Sequence, residues 1–276
     1  MTLTQVRSYR EDVVEPLERL ARRDLRFDLG FMGFTEHERE VRRLLYLSIG
    51  GNEAGDKQDV LLSAGIHGEE PAGVYALLNF LESGIHDFLG AYRFLVFPCV
   101  NPFGFEYGVR LNPAGFDVNR NFRNETSCLE AAKVMRVLSR LDRRFTCTVD
   151  LHETDPDWAG EGFSANDNPK GFYMWEVCSI RNMRVGREVV KEVARLAPVC
   201  DWPYIYGDHN SRGVIWYPEG SGNNVYAQGT TFEAYLNRNY SPQSFTLETS
   251  CAWDMALRTS VHLTAVEAIL KLKRNA

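Results

Sequence analysis

Short apolar runs of strand length alternate along this chain with longer segments of helical periodicity. Residues 60–66, Val-Leu-Leu-Ser-Ala-Gly-Ile, have the near-continuous hydrophobicity of a strand that is buried on both faces. A helix is predicted from about Pro71 to Leu81, because proline is favoured in the first turn of a helix. Strands that alternate with helices form a sheet whose two faces are covered by those helices. The pattern therefore predicts an α/β fold, with a mixed twisted β-sheet flanked by helices on both faces.

The same alternation continues to the end of the chain. Further strands are predicted at 27–34, 41–48, 92–100, 145–151 and 244–248. Further helices are predicted at 11–23, 128–141, 173–196 and 253–273. No repeat or long linker interrupts the sequence, so we expect one domain over 1–276, which the helix and hairpin of 1–57 complete. The stretches 101–127 and 201–240 are rich in Gly, Asn, Pro and aromatic residues, as is typical of long functional loops.

The composition excludes two classes of partner. The 276 residues include 31 basic and 37 acidic side chains, a net charge of −6, whereas a nucleic-acid-binding protein usually carries a basic stripe. No apolar run approaches the roughly 18 to 20 residues of a membrane span, and residues 1–10 do not form a signal peptide. Six cysteines are scattered without a Cys-x-x-Cys pair, which is typical of reduced thiols. We expect a cytoplasmic protein that binds neither nucleic acid nor membrane.

Metal-ligand side chains follow three of the predicted strands. His67 and Glu70 come directly after the strand at 60–66, and His152 follows the strand at 145–151. Two imidazoles and one carboxylate form a known catalytic zinc site with an open fourth position. Glu248, at the end of the strand at 244–248, adds a carboxylate that could act as a general base. Because sites in open α/β sheets form where strands end, we expect these side chains to converge.

Each of these signals has an ordinary structural alternative. A second His-x-x-Glu, from His37 to Glu40, lies in a charge run that is predicted to be a solvated hairpin tip. Taken alone, His67 and Glu70 fit a structural role as well as a ligand role. His152 alone is more simply a hydrogen-bonded histidine at a strand end. Only their combination favours a metal centre.

Five motifs in the same order carry a resemblance to a known family. They are Gly65-Ile-His-Gly-Glu-Glu-Pro71, Asn101-Pro-Phe-Gly104, Asp117-Val-Asn-Arg-Asn-Phe122, Asp150-Leu-His152 and Thr246-Leu-Glu248. With them the chain resembles the zinc metallocarboxypeptidases of the carboxypeptidase A type, from residue 60 to about residue 250. The resemblance implies one zinc ion, held by the two histidines and the glutamate of the first and fourth motifs.

In the same family, residues of the third motif orient a metal ligand and bind the substrate. The resemblance implies that Asp117 accepts a hydrogen bond from the far ring nitrogen of His67, which fixes the orientation of a metal ligand. A turn-forming aspartate is the alternative. Asn119 and Arg120 correspond to the pair that binds the substrate's terminal carboxylate. A guanidinium suits that task because it presents a planar fork and stays charged, although an isolated arginine more often forms a surface ion pair.

Two further catalytic groups follow from the resemblance. Arg110 is the candidate for the arginine that polarises the scissile carbonyl, with Arg123 as its rival. Its short separation from Asn119 resembles the aspartoacylase/succinylglutamate desuccinylase branch of the superfamily. Glu248 corresponds to the catalytic glutamate that takes a proton from the attacking water and passes one to the leaving amine.

The family also has a mobile tyrosine that caps the substrate carboxylate, 22 positions before the catalytic glutamate. Counting back from Glu248 reaches Tyr226, and three other tyrosines of the same loop remain alternatives: Tyr217, Tyr235 and Tyr240. A family position that forms the floor of the specificity pocket falls on Glu233, which implies a preference for a basic terminal side chain.

The sequence thus predicts a zinc metallocarboxypeptidase that cleaves a C-terminal peptide bond or a related amide. Its substrate would be a small peptide or an N-acyl amino acid with a free carboxylate. The alternative is an N-acyl-amino-acid deacylase, which would use the same zinc site. Those deacylases usually append a β-rich domain, whereas 28 residues with a helical pattern follow Glu248 here, so the peptidase is favoured. A non-catalytic binding module is disfavoured by the intact ligand set, and a serine hydrolase by the absence of a Gly-x-Ser-x-Gly elbow. The oligomeric state is not predicted.

Overall fold

A computed structural model describes residues 3–51, 56–217 and 230–274. Its main sheet has eight strands in the order β1-β2-β4-β3-β5-β10-β6-β9, and β7 and β8 form a separate hairpin. The strands are β1 (Phe27–His37), β2 (Glu40–Ile49), β3 (Gln58–Ala64), β4 (Tyr92–Phe97), β5 (Cys147–Thr154), β6 (Tyr173–Cys178), β7 (Tyr204–Ile205), β8 (Asp208–His209), β9 (Val214–Tyr217) and β10 (Gln243–Ser250). The α-helices in the described ranges are α1 (Glu15–Arg23), α2 (Ala72–Glu82), α3 (Pro102–Tyr107), α4 (Leu129–Leu141), α5 (Gly186–Val193), α6 (Phe232–Asn239) and α7 (Met255–Arg274).

The four central strands of the sheet are parallel. β3 pairs in parallel with β4 and with β5, and β5 pairs in parallel with β10. The β1–β2 hairpin joins β4 in antiparallel fashion, and β6 joins β10 likewise. The sheet is therefore mixed, as predicted. This topology brings the carboxyl ends of β3, β5 and β10 to one edge, where polar side chains that follow these strands can meet.

Helices bury both faces of the sheet. Alternate residues of β3 enter opposite cores: Val60 and Leu62 pack with side chains of α2, α5 and α7, and Leu61 packs with side chains of α4 and α6. The two cores explain the near-continuous hydrophobicity of this strand, because neither face is left for polar side chains. The predicted α/β class is confirmed.

One long helix was predicted where the structure has two other elements. Residues 173–196 were expected to be helical, but β6 occupies Tyr173–Cys178 and a short helix, α5, follows at Gly186–Val193. The segment Tyr-Met-Trp-Glu-Val-Cys is rich in aromatic and β-branched side chains. It pairs on one side with β10 and on the other with β9. These long-range backbone hydrogen bonds outweigh the apolar spacing that suggested a helix.

The regions predicted to be irregular contain short elements. The stretch 101–127 includes α3 and a 3-10 turn at Val118–Arg120, and the stretch 201–240 includes β7, β8, β9 and α6. The His37-to-Glu40 charge run forms the tip of the β1–β2 hairpin, where Glu38 and Arg39 have positive φ. The hairpin prediction is confirmed. Within the described residues, the helices are too short or too polar for any of them to traverse a bilayer.

Candidate active site

A tight loop at the carboxyl end of β3 positions the first two candidate ligands. Gly65 leaves the strand with φ of +63°, a left-handed conformation that favours glycine. A Cβ atom on Gly68 would lie 1.8 Å from the carbonyl carbon of Gly104, so the loop requires glycine to pass the start of α3. His67 and Glu70 both lie in this loop, just before α2 begins, and both are buried.

His67, Glu70 and His152 converge on one point. Their potential ligand atoms all lie within 4.8 Å of one another, and all three residues are buried. The Nδ1 atom of His67 is 2.7 Å from Glu70 Oε1, and the Nδ1 atom of His152 is 2.8 Å from Glu70 Oε2. The structure thus brings together three residues that are separated by up to 85 positions in the sequence. Two imidazole nitrogens beside one carboxylate are a donor set that suits zinc.

Each histidine is oriented by an aspartate at its far nitrogen. His67 Nε2 lies 3.2 Å from Asp117 Oδ1, and His152 Nε2 lies 2.9 Å from Asp150 Oδ2. Asp150 is itself held by the hydroxyl of Ser63, at 2.7 Å. A carboxylate at this position fixes the ring and leaves Nδ1 for a metal. Sequence reasoning gave Asp150 no role, although its Asp-x-His spacing on a strand places both side chains on one face.

The carboxylates and imidazoles of the cluster stabilise one another's charged forms. The pKa of Glu70 is held well below its usual range, because the two neighbouring histidines outweigh the effect of burial. Burial lowers the pKa of His152, but Asp150 and Glu70 outweigh it and raise the pKa well above the usual value. A metal cation would replace the histidine protons in this arrangement, since ligation requires neutral imidazole.

Glu153 connects the cluster to two helices. Its carboxylate accepts hydrogen bonds from the backbone N–H of Ala72, at 2.7 Å, and from Arg258 of α7, at 2.8 Å. Its own backbone N–H donates to Glu70 Oε2, at 3.1 Å. A fully buried carboxylate needs such partners to offset its desolvation. Glu153 was not singled out from the sequence, because its partners are distant in the chain.

Glu248 lies beside the metal-ligand cluster on β10. It is the register partner of His152 on β5, so both side chains emerge at the same level of the sheet. Its Oε2 atom accepts a hydrogen bond from the hydroxyl of Thr154, at 3.0 Å, and that hydroxyl also contacts Tyr173. Burial raises the pKa of Glu248 to about 7, despite the opposing effects of His152 and the Thr154 hydrogen bond.

Arg110 reaches the same cluster, whereas Arg123 does not. The Nε atom of Arg110 donates to Asp117 Oδ2 at 2.9 Å, and its Nη1 atom lies 3.2 Å from His67 Nδ1. Asn101 positions this segment by capping α3 and donating to the carbonyl of Arg110. Arg123 is exposed at the surface.

Asn119 and Arg120 line the cavity next to the cluster, as Glu233 also does. Asn119 Oδ1 accepts from the backbone N–H of Phe232, at 2.8 Å, which ties the segment to α6. Arg120 binds the carboxylate of Glu161 through Nε, at 3.1 Å, and Nη2, at 3.0 Å. Sequence reasoning missed Glu161, which carries no motif. Aromatic side chains form much of the remaining wall: Trp158, Phe163, Tyr173, Trp175, Tyr206 and Tyr217.

The tyrosine predicted to cap the substrate, Tyr226, lies outside the described residues. Of its alternatives, Tyr217 lines the cavity but donates its hydroxyl to Asp208, at 2.6 Å. Tyr235 and Tyr240 pack against the core on the α4 side of the sheet.

Comparison with known proteins identifies a related sequence segment and a shared fold. Residues 56–170 match the family model described as the succinylglutamate desuccinylase/aspartoacylase catalytic domain. This segment contains four of the five motifs, including all three candidate metal ligands. No curated protein matches the chain. The matched model describes a hydrolase family, which supports the prediction that this protein is an enzyme.

Solved structures share the architecture over nearly the whole chain. A metallopeptidase structure from Shewanella baltica is 20% identical, with a TM-score of 0.74 and 98% of each chain covered. One from Shewanella amazonensis is 21% identical, with a TM-score of 0.72, covering 95% of this chain and 91% of that one. Carboxypeptidase A from Helicoverpa armigera is 14% identical, with a TM-score of 0.65, covering 100% and 74%.

The fold is therefore that of the carboxypeptidases. Within this fold, residues 56–170 resemble the desuccinylase/aspartoacylase catalytic domain, and they carry the buried His67-Glu70-His152 cluster, which could hold a metal ion. The resemblance seen in the sequence is confirmed.

Proposed function

We propose that this protein is a zinc-dependent metallocarboxypeptidase that hydrolyses an amide bond next to a free carboxylate. The observation that carries the proposal is the convergence of His67, Glu70 and His152 within 4.8 Å, with Glu248 in register beside them. A single zinc ion would be held by the two Nδ1 atoms and the Glu70 carboxylate. Zinc in such a site supplies a Lewis acid that lowers the pKa of water and polarises a carbonyl.

Glu248 is proposed as the general base and then the general acid. It would take a proton from the attacking water and deliver one to the leaving nitrogen as the amide bond breaks. A pKa of about 7 suits both tasks, because the group can hold or release a proton near neutral pH. Thr154, which donates to Oε2, would hold the carboxylate in place during both transfers.

The arginines are proposed to bind the substrate's negative charges. Arg120, with Asn119, would bind the terminal carboxylate, and Arg110 would stabilise the oxyanion that develops on the scissile carbonyl. Arg110 lies 3.2 Å from a candidate metal ligand, which supports a role at the reacting carbonyl. The substrate would be a small peptide with a free carboxylate.

An N-acyl-amino-acid deacylase is the second candidate. The match of residues 56–170 to the desuccinylase/aspartoacylase model favours it. The overall similarity to metallopeptidase structures, which spans the chain, favours the peptidase. Both reactions would use the same groups, because each hydrolyses an amide bond and leaves a free amine and a carboxylate.

A panel of substrates separates the two candidates. The zinc-loaded protein would be incubated with short peptides that have free or amidated C-termini, and with N-acyl amino acids. Release of C-terminal amino acids from the free peptides alone is expected. Hydrolysis confined to N-acyl amino acids would instead establish the deacylase, and an inactive panel with full zinc content would contradict both.

We also propose a cytoplasmic location. All six cysteines are free thiols and five of them are buried, which fits a reducing compartment.

A further inference from the structure

One loop contacts both arginines that are proposed to bind substrate. The segment 155–172 connects β5 to β6 and contributes Trp158, Glu161 and Phe163 to the lining of the cavity. The guanidinium carbon of Arg110 lies 5.7 Å from the ring centroid of Trp158 in this loop. Three residues further along, the carboxylate of Glu161 binds Arg120.

The contact between Glu161 and Arg120 has the geometry of carboxylate recognition. The two carboxylate oxygens of Glu161 each take one donor of the guanidinium, Oε1 from Nε at 3.1 Å and Oε2 from Nη2 at 3.0 Å. This side-on pair of parallel hydrogen bonds is the arrangement by which arginine binds a free carboxylate. A substrate carboxylate could not use the same two donors while Glu161 occupies them.

The loop is fixed at its base and exposed at its tip. Asn168 donates to the carbonyl of Trp158, at 2.6 Å, and accepts from the hydroxyl of Tyr206, at 2.9 Å. The Phe163 ring packs edge-on against Tyr206, with centroids 5.0 Å apart. In contrast, the Glu161 side chain is 43% exposed. Its carboxylate can therefore leave Arg120 for water without unfolding the loop.

We propose that Glu161 is an internal competitor for the carboxylate-binding site at Arg120, and that it sets the affinity for substrates with a free carboxylate. The proposal rests on the proposed function only in placing the substrate carboxylate at Arg120. Each binding event exchanges the tethered carboxylate for the substrate's own. Because Glu161 is attached to the protein, it competes at a fixed effective concentration.

The ion pair between Glu161 and Arg120 is weak enough for a substrate carboxylate to displace Glu161. A partly exposed ion pair contributes little to stability, since water and salt screen it and its side chains lose entropy. Removing the Glu161 charge should tighten carboxylate binding by about two- to fivefold.

The test measures binding in the zinc-loaded protein. Isothermal titration calorimetry would give the dissociation constant of N-acetylphenylalanine, whose ring suits the aromatic cavity, and of its C-terminal amide. All variants would carry Glu248→Gln to prevent turnover. Glu161→Gln should tighten binding of the carboxylate and leave the amide unaffected. The matched control is Glu192→Gln, because Glu192 is also 43% exposed and also pairs with an arginine, Arg195, away from the cavity.

A double substitution separates local competition from a general loss of negative charge. In an Arg120→Ala background, Glu161→Gln should no longer tighten binding. Tightening that persists there, tightening equal to that of the Glu192 control, or no binding of the carboxylate by any variant would each overturn the proposal. If the parent protein hydrolyses the substrate panel but Glu161→Gln does not change carboxylate binding, this inference alone is overturned. If Glu161→Gln tightens carboxylate binding but the parent protein hydrolyses no substrate of the panel, the proposed function alone is overturned.

Discussion

His152 and Glu248 face each other across two adjacent parallel strands, as register partners of β5 and β10. Backbone hydrogen bonds of the sheet therefore fix the distance between a candidate metal ligand and the candidate base. This arrangement needs no loop to bring the two groups together, and rigid elements position reacting groups more accurately than loops do.

Glu248→Gln tests the assignment of the base. The amide is nearly isosteric but cannot accept the proton of the attacking water, so kcat should fall about 10²- to 10⁴-fold. Zinc content, measured by atomic absorption, should stay at one ion per chain, because Glu248 is not among the proposed ligands. A variant with near-normal kcat would contradict its role as base.

Removal of the metal should abolish hydrolysis. A chelator would strip the proposed zinc ion, and added zinc should restore activity. His67→Ala should lose both zinc and activity, because it removes one of three protein ligands. His86→Ala is the matched control, since His86 is exposed and outside the cluster. Activity that survives complete loss of metal would exclude the proposed chemistry.

Arg120→Ala tests the carboxylate site. We expect KM for a peptide with a free C-terminus to rise about 10- to 100-fold with a smaller change in kcat, because the contact serves mainly to bind. The amidated peptide should show no such rise. Arg123→Ala provides the control, since Arg123 comes three residues later and is exposed. Equal effects of the two substitutions would argue against a specific site.

The pH dependence of kcat/KM should follow the ionisation of Glu248. Its pKa is about 7, and the base acts in its deprotonated form, so activity should fall as the pH drops through that value. Bound zinc would favour the carboxylate and move the midpoint below 7. Initial rates across pH 4 to 9 would locate it. A profile that is flat from pH 4 to 7 would contradict the assignment.

Glu233 should make the folded protein less stable at alkaline pH. Burial raises the pKa of this carboxyl from 4.5 to about 8, although the Thr246 hydroxyl opposes the shift. The unfolded chain therefore releases the proton first, and stability falls as pH rises from about 4.5 to about 8. Glu233→Gln should increase the free energy of unfolding at pH 8 by about 1–3 kcal/mol. At pH 4.5 the variant and the parent should unfold at similar denaturant concentrations, whereas the exposed control Glu188→Gln should change neither value.

Local pattern was sufficient for most of the elements and for the candidate ligands. The apolar run at 60–66 and the polar residues after it could be read directly, because a strand buried on both faces leaves a distinctive composition. The same pattern was misleading at 173–196, where the pairing of β6 with β9 and β10 determines the structure. Apolar periodicity does not record which distant strands are available as partners.

The sequence by itself determined the class of fold and the kinds of side chain that end the central strands. Only the tertiary structure decided which of Arg110 and Arg123 reaches the cluster, and that Asp150 orients His152. The tertiary structure also decided that the Glu161 carboxylate pairs with the Arg120 guanidinium. Strand ends follow from short-range hydrophobic pattern, whereas ion pairs and hydrogen bonds between side chains depend on how the whole chain packs.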